Sequence, residues 1–259
     1  MSRPGADFTG ERLHAGDPRF ALDLARHRAP YERARERLAG RRVLDLGCGS
    51  GHGSALLAGD AGLLVALDRI FPDPEPRRTR ARFCRADLFS LPLRPGSFDA
   101  VLSFQVIEHL EDPGPYLRAI AALLAPGGQA WISTPNRALS DGVNPYHVRE
   151  YLADELCEVL RVHFEEVEML GVGATHPVRE VLEERSRRIR RVMRIDPLGL
   201  HRRLPQAWIE RLFALGALLV RRGGAPAEAP PPSWRDFPIQ PPDEATSLDW
   251  LAVCRKPRR

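Results

Sequence analysis

The chain has 259 residues, of which 43% are hydrophobic and 28% charged, with a formal net charge of +4. This composition is that of a globular chain and counts against a disordered, collagenous or membrane-embedded one. The cysteines (Cys48, Cys84, Cys157, Cys254) form no C-x-x-C pair, which argues against a zinc site or a disulfide scaffold and fits a reducing cytoplasm.

Residues 1–18 are polar and read as an irregular arm, with no apolar core of a signal peptide behind Met1. Phe20 to Leu38 reads as a helix. A strand–helix alternation then begins. Arg42–Leu46 is an apolar run and reads as a buried strand, followed by a glycine-rich turn and a helix containing Ser54–Leu57. Leu63–Asp68 and Arg82–Asp87 read as strands that each end in an acid. Phe98–Ser103 is a buried strand. Tyr116–Leu124 reads as a helix stopped by Pro126-Gly127-Gly128. Gln129–Thr134 is a strand, Asp154–Val162 a helix and Phe164–Leu170 a strand. Alternation of this kind predicts a mostly parallel sheet with helices on both faces. Residues 176–246 break the pattern: a basic helix over Val178–Val192, an apolar helix over Leu204–Val220, and a Pro-rich loop over Gly223–Pro242. Strand character returns at Leu248–Cys254. The expected division is an arm and helix (1–40), an α/β core (41–175), a helical basic insertion (176–246), and a last core strand with a basic tail (247–259). The only lysine is Lys256, so phosphate-loop, Schiff-base and Tyr-x-x-x-Lys chemistries are disfavoured.

The most informative segment is Val43-Leu44-Asp45-Leu46-Gly47-Cys48-Gly49-Ser50-Gly51. Glycines at alternate positions after a strand mark a tight turn where backbone approaches a ligand. A dinucleotide fingerprint, counted from Gly47, needs its third glycine where His52 stands. G-x-G-x-G after an acid-bearing strand instead resembles motif I of class I S-adenosylmethionine (SAM) dependent methyltransferases. Phe98–Pro113, Leu123–Arg137 and Asn144–Tyr151 resemble later motifs of the same family. The likeness is closest to its small-molecule branch, which includes ubiquinone-type O-methyltransferases and bacterial glycan and natural-product enzymes.

The resemblance implies a doubly wound, seven-stranded, mostly parallel sheet with the helical insertion before its last strand, and SAM as cofactor. Ligands of such sheets bind outside the carboxyl ends of the strands. Gly47, Cys48, Gly49, Gly51 and Phe104 are then expected to line the cofactor site. Asp68 is placed to accept both ribose hydroxyls, because two carboxylate oxygens suit a vicinal diol. Asp87 is placed for the adenine amino group, beside the Leu88 amide. Asp45 is expected to order the turn or face the methionine ammonium. Each acid alone could equally be a helix cap or turn residue.

Methyl transfer needs an acceptor held in line and relieved of its proton. Glu108, His109 and His147 are the titratable residues expected at that edge of the pocket. In related enzymes, E-x-x-E-H with a distant His holds a divalent metal. Gln105 stands here in place of the first Glu, and a neutral amide attracts Mg²⁺ less strongly. From Val178 to Arg222, twelve arginines face five acids. This segment, with its apolar second helix, suits either a lid on the pocket or a peripheral contact with an anionic membrane or a lipid-linked substrate. Nucleic acid is disfavoured, since no RNA-binding module accompanies the charge. The expected protein is a cytoplasmic methyltransferase acting on an O or N acceptor of a small molecule, with a sugar or a lipid-linked intermediate among the acceptors expected. Its rivals are an RNA or protein methyltransferase and a non-catalytic SAM-binding scaffold.

Overall fold

The computed structural model describes residues 13, 17–142, 144–193 and 231–258. In chain order the elements are α1 (Ala21–Arg35), β1 (Arg42–Leu46), α2 (His52–Leu57), β2 (Leu63–Asp68), β3 (Arg82–Arg85), β4 (Phe98–Phe104), α3 (Gly114–Leu123) and β5 (Leu124–Pro135). They continue with α4 (Ala153–Arg161), β6 (Phe164–Val172), α5 (His176–Met193), β7 (Ile239–Gln240) and β8 (Asp249–Pro257).

All eight strands join one sheet in the order β3-β2-β1-β4-β5-β8-β6-β7. The neighbours from β3 through β5 are parallel, whereas β8 runs antiparallel to both β5 and β6. The expected seven strands are therefore present, and β7 is an addition. It arises within the stretch read as a Pro-rich loop: Ile239 and Gln240 pair with Val172 and Gly171 at the sheet edge. The apolar second helix expected over Leu204–Val220 lies outside the described residues, as does most of the expected N-terminal arm.

Strand alternation decides what each face buries. Leu44, Leu46, Ile132, Trp250 and Ala252 pack with Tyr116, Leu117 and Ile120 of α3 and Leu156 and Leu160 of α4. Val43, Leu102, Phe104, Trp131 and Leu251 point to the other face, against Ala25, Ala29, Tyr31 and Ala34 of α1 and Leu57 of α2. Val178 and Leu182 of α5 pack against this second cluster. The first helix of the insertion is thus seated on the core, and the Arg185 guanidinium pairs with Asp23 of α1 at 2.7 Å. Among the described residues, no helix is long and apolar enough to cross a membrane.

The strands expected to end in acids do so with one change. β3 stops at Arg85, and Asp87 lies two residues beyond it in a turn, where its Oδ1 accepts from the Phe89 amide at 2.9 Å.

Candidate functional site

The carboxyl ends of β1, β2 and β4 converge on the glycine turn. Gly47, Gly49 and Gly51 all have positive φ, at 79°, 55° and 85°. What surrounds them separates their roles. A methyl group added at Gly47 or Gly51 would meet Val106 or Pro72, whereas one added at Gly49 meets none of the described residues within 4 Å. Gly47 and Gly51 are needed for packing, and Gly49 is where the backbone faces open space. Gly49 is also tethered from outside, since its amide donates to Asp68 Oδ2 at 2.9 Å. The other oxygen of Asp68 accepts from the Ile70 amide at 3.1 Å. The β2 acid thus braces the turn that it was expected to accompany.

Asp45 is fully buried, on the α1 face of β1. It accepts from Ser54 Oγ at 2.6 Å and from the Tyr31 hydroxyl at 3.2 Å to each oxygen. Burial pushes its pKa up to about 6. Cys48 is buried and its thiol is pushed well up by burial, which makes it a neutral wall rather than a nucleophile. The Phe104 ring lies in the core beneath the turn, edge-on to Tyr31 with centroids 4.7 Å apart. Asp87 is exposed at the rim, with Leu88 half-buried beside it.

The second constellation lies past the end of β4. Glu108, His109 and His147 come together, with ligand atoms all within 4.8 Å of one another. Glu108 is fully buried. Its Oε2 accepts from Thr134 Oγ1 at 3.0 Å, and its Oε1 has no hydrogen-bond partner among the described residues. Burial pushes its pKa up to about 7, against the pull of both histidines. His109 Nδ1 donates to the Tyr146 carbonyl at 2.9 Å, since a carbonyl can only accept. His147 Nδ1 lies 2.6 Å from Glu150 Oε1. In the neutral rings Nε2 is then the basic nitrogen of both imidazoles. Burial alone would raise the Glu150 carboxyl, but its hydrogen bonds to His147 and Ser140 hold it below the ordinary value.

Sequence reasoning did not single out Glu150. The signal was its place three residues after His147, within reach across one turn. It also missed Tyr31, Ser54 and Thr134.

Gln105 does not join this cluster. Its φ is 57°, a conformation uncommon outside glycine and costly for most side chains. Its amide nitrogen lies 3.3 Å from Asp249 Oδ1 and 3.4 Å from Ser133 Oγ, both on the α1 face. Asp249 is itself clamped by Arg26 of α1, at 2.5 and 2.6 Å. The amide expected as a weak fourth ligand is thereby held on the opposite side of the sheet from Thr134 and Glu108.

The three convergent side chains suit a divalent cation in donor type: one carboxylate with an unsatisfied buried oxygen and two imidazoles of fixed tautomer. They equally suit proton transfer, because the buried Glu108 carboxyl, pushed up to about 7, can exchange a proton near neutral pH.

A model of a methyltransferase domain family matches residues 20–179. A probable S-adenosylmethionine-dependent methyltransferase of Mycolicibacterium smegmatis is 41% identical over 176 residues, covering 64% of this chain and 68% of that protein. A ubiquinone biosynthesis O-methyltransferase of Xanthomonas campestris is 36% identical over 143 residues, covering 51% of this chain and 55% of that protein. The chain thus spans only about half the length of the ubiquinone-type relative. Among solved structures, a SAM-dependent methyltransferase from Thermotoga maritima superposes with a TM-score of 0.56 at 15% identity, covering 92% of each chain. One from Archaeoglobus fulgidus gives 0.55 at 17% identity, covering 91% of this chain and 94% of the other. At these identities the two structures speak for the fold.

Proposed function

We infer, for a chain that belongs to the S-adenosylmethionine-dependent methyltransferase family, that the methyl group goes to an oxygen or nitrogen of a small molecule. The observation that carries this reading is the convergence of Glu108, His109 and His147 beyond the end of β4. A hydroxyl must lose a proton as it attacks and an ammonium must lose one before it can, and this cluster supplies groups that can take one.

In the reaction, a lone pair on the acceptor attacks the sulfonium methyl carbon in line. The sulfur–carbon bond breaks toward sulfur, giving S-adenosylhomocysteine and the methylated acceptor. The acceptor proton passes to a basic site, for which His109 Nε2 and His147 Nε2 are the candidates. Tyr146 and Glu150 fix these tautomers from behind. Should a divalent cation bind here, Glu108, His109 and His147 would hold it, and it would acidify an acceptor hydroxyl.

On the cofactor side, Gly49 gives the ligand room and Asp68 serves the ribose diol. Replacing Asp68 with alanine should weaken S-adenosylhomocysteine binding by about 1.5–3 kcal/mol, the usual worth of hydrogen bonds to a charged group. Calorimetry checks this together with a melting curve. An intact affinity beside a collapsed melting temperature would reduce Asp68 to a brace of the turn.

A sugar hydroxyl or the head of a lipid-linked intermediate is the acceptor class proposed here. The arginines of α5 support it, since they place positive charge on the insertion seated against the core. The test is transfer of radiolabel from SAM to a panel of quinols, sugars, lipid-linked sugars and amines, with Mg²⁺ or with a chelator. Transfer to a hydroxyl or amine supports the reading. Tight SAM binding without transfer to any member of the panel would favour a non-catalytic scaffold. Loss of transfer with the chelator assigns the cluster to a metal, and undiminished transfer assigns it to proton transfer alone.

A further inference from the structure

We propose that Tyr31 of α1 is a positioning residue for the cofactor turn, holding Asp45 from below while its ring sets how closely α2 can approach. The inference rests on the turn being the SAM site and goes beyond it, because neither motif I nor the acceptor cluster contains α1.

The geometry is specific. The Tyr31 ring is buried between the first turn of α2 and the end of β4. A Cβ built on Gly53 would come 2.1 Å from Cζ of the Tyr31 ring, far inside van der Waals contact, so only glycine lets α2 start where it does. The ring meets Phe104 edge-on at an interplanar angle of 89°. Its hydroxyl then reaches both oxygens of Asp45, and Ser54 of α2 completes the set at 2.6 Å. One buried carboxylate therefore joins α1, β1 and α2. The glycine turn is strung between β1 and α2, so its path is set by this junction beneath it and by Asp68 outside it.

A hydrogen-bonded buried carboxylate is a rigid joint, and an unsatisfied one is costly. Tyr31 is itself anchored from the far end of α1. Asp23 pairs with Arg185 of α5, and Arg26 pairs with Asp249 at the start of β8. Helix α1 is thereby fixed to α5 and β8 near its start, while Tyr31 acts on Asp45 further along it.

Asp45 carries the pH dependence. The groups around it are Tyr31 from α1, Ser54 from α2, Cys48 from the turn, Asp68 from β2 and Tyr116 from α3. Burial raises its pKa to about 6, while the Ser54 and Tyr31 hydrogen bonds favour the charged form. Removing one donor must raise the pKa further. The ordered, charged joint exists above that pKa and is lost as pH falls through it.

The test is the dissociation constant of S-adenosylhomocysteine, measured by calorimetry from pH 5 to 8.5 for the wild type and for Tyr31→Phe. The phenylalanine keeps the ring wedge and removes only the hydroxyl. Affinity of the variant should fall about tenfold at pH 6.5, the scale of one hydrogen bond to a charged group. The pH at which affinity declines should move upward relative to the wild type. Melting curves at the same pH values show that the variant is folded at the assay temperature. Matching affinity and matching pH dependence in the two proteins would overturn the proposal, as would a lowered melting temperature with unchanged affinity. Absence of binding by the wild type would overturn the cofactor reading itself, and is distinguishable because it appears without any substitution.

Discussion

Gly49→Val is expected to remove S-adenosylhomocysteine binding almost entirely, with affinity falling about 100-fold or more, on the order of 2.7 kcal/mol. Two effects act together. A β-branched residue resists a φ of 55°, and forcing it there costs about 1–2 kcal/mol. The side chain also projects into the open space that faces the turn, where no atom of the described residues lies within 4 Å of a Cβ. Because none of the described residues is struck, the fold should survive better than in Gly47→Val, whose side chain would collide with Val106. Calorimetry on the folded variant checks the claim. Unchanged affinity would move the cofactor away from this turn.

His109→Ala is expected to lower turnover about 100-fold or more, within the range of general acid–base catalysis, while S-adenosylhomocysteine affinity changes by less than about threefold. The separation follows from position. His109 sits beyond β4 with its ring 5.2 Å from that of His147, and its Nδ1 is bonded to the Tyr146 carbonyl rather than to the glycine turn. In metal-free protein the pH profile adds a second readout. Glu108 gains its proton as pH falls through about 7, since burial favours its neutral form. Turnover should therefore decline on the acid side of that value if the carboxylate is needed ionised. Single-turnover assays with a competent acceptor measure the effect. Equal losses in turnover and cofactor affinity would mean that His109 supports the fold of the loop and not the chemistry.

What a short stretch of chain reveals of the fold depends on the range of the forces involved. Strand ends were legible because apolar runs and turn residues act over a few positions. β1 and β2 have the expected bounds, and Asp68 closes its strand. The glycine turn was legible because its backbone conformation is demanded locally. The pairing of His109 with His147 was legible from the resemblance and from chain order past β4 and β5. The end of β3 was less so: the apolar run is short, and its edge position leaves nothing on one side to extend it. The strand β7 could not be read from a Pro-rich stretch, because its two residues are strand only through pairing with β6.

By itself, then, the sequence determined the alternating α/β architecture and singled out the glycine turn after β1 and the three side chains Glu108, His109 and His147 that the fold brings together. Local periodicity and backbone sterics suffice for those. Only the tertiary structure decided which groups meet across long separations. Tyr31 reaches Asp45 across 14 positions, and Arg26 reaches Asp249 across 223. It also decided that Gln105 turns to Asp249 and away from Glu108, because the two sheet faces carry different partners. The physical reason is that a buried charge or hydroxyl is satisfied by whichever donor or acceptor packing brings to it, and packing is a property of the whole sheet.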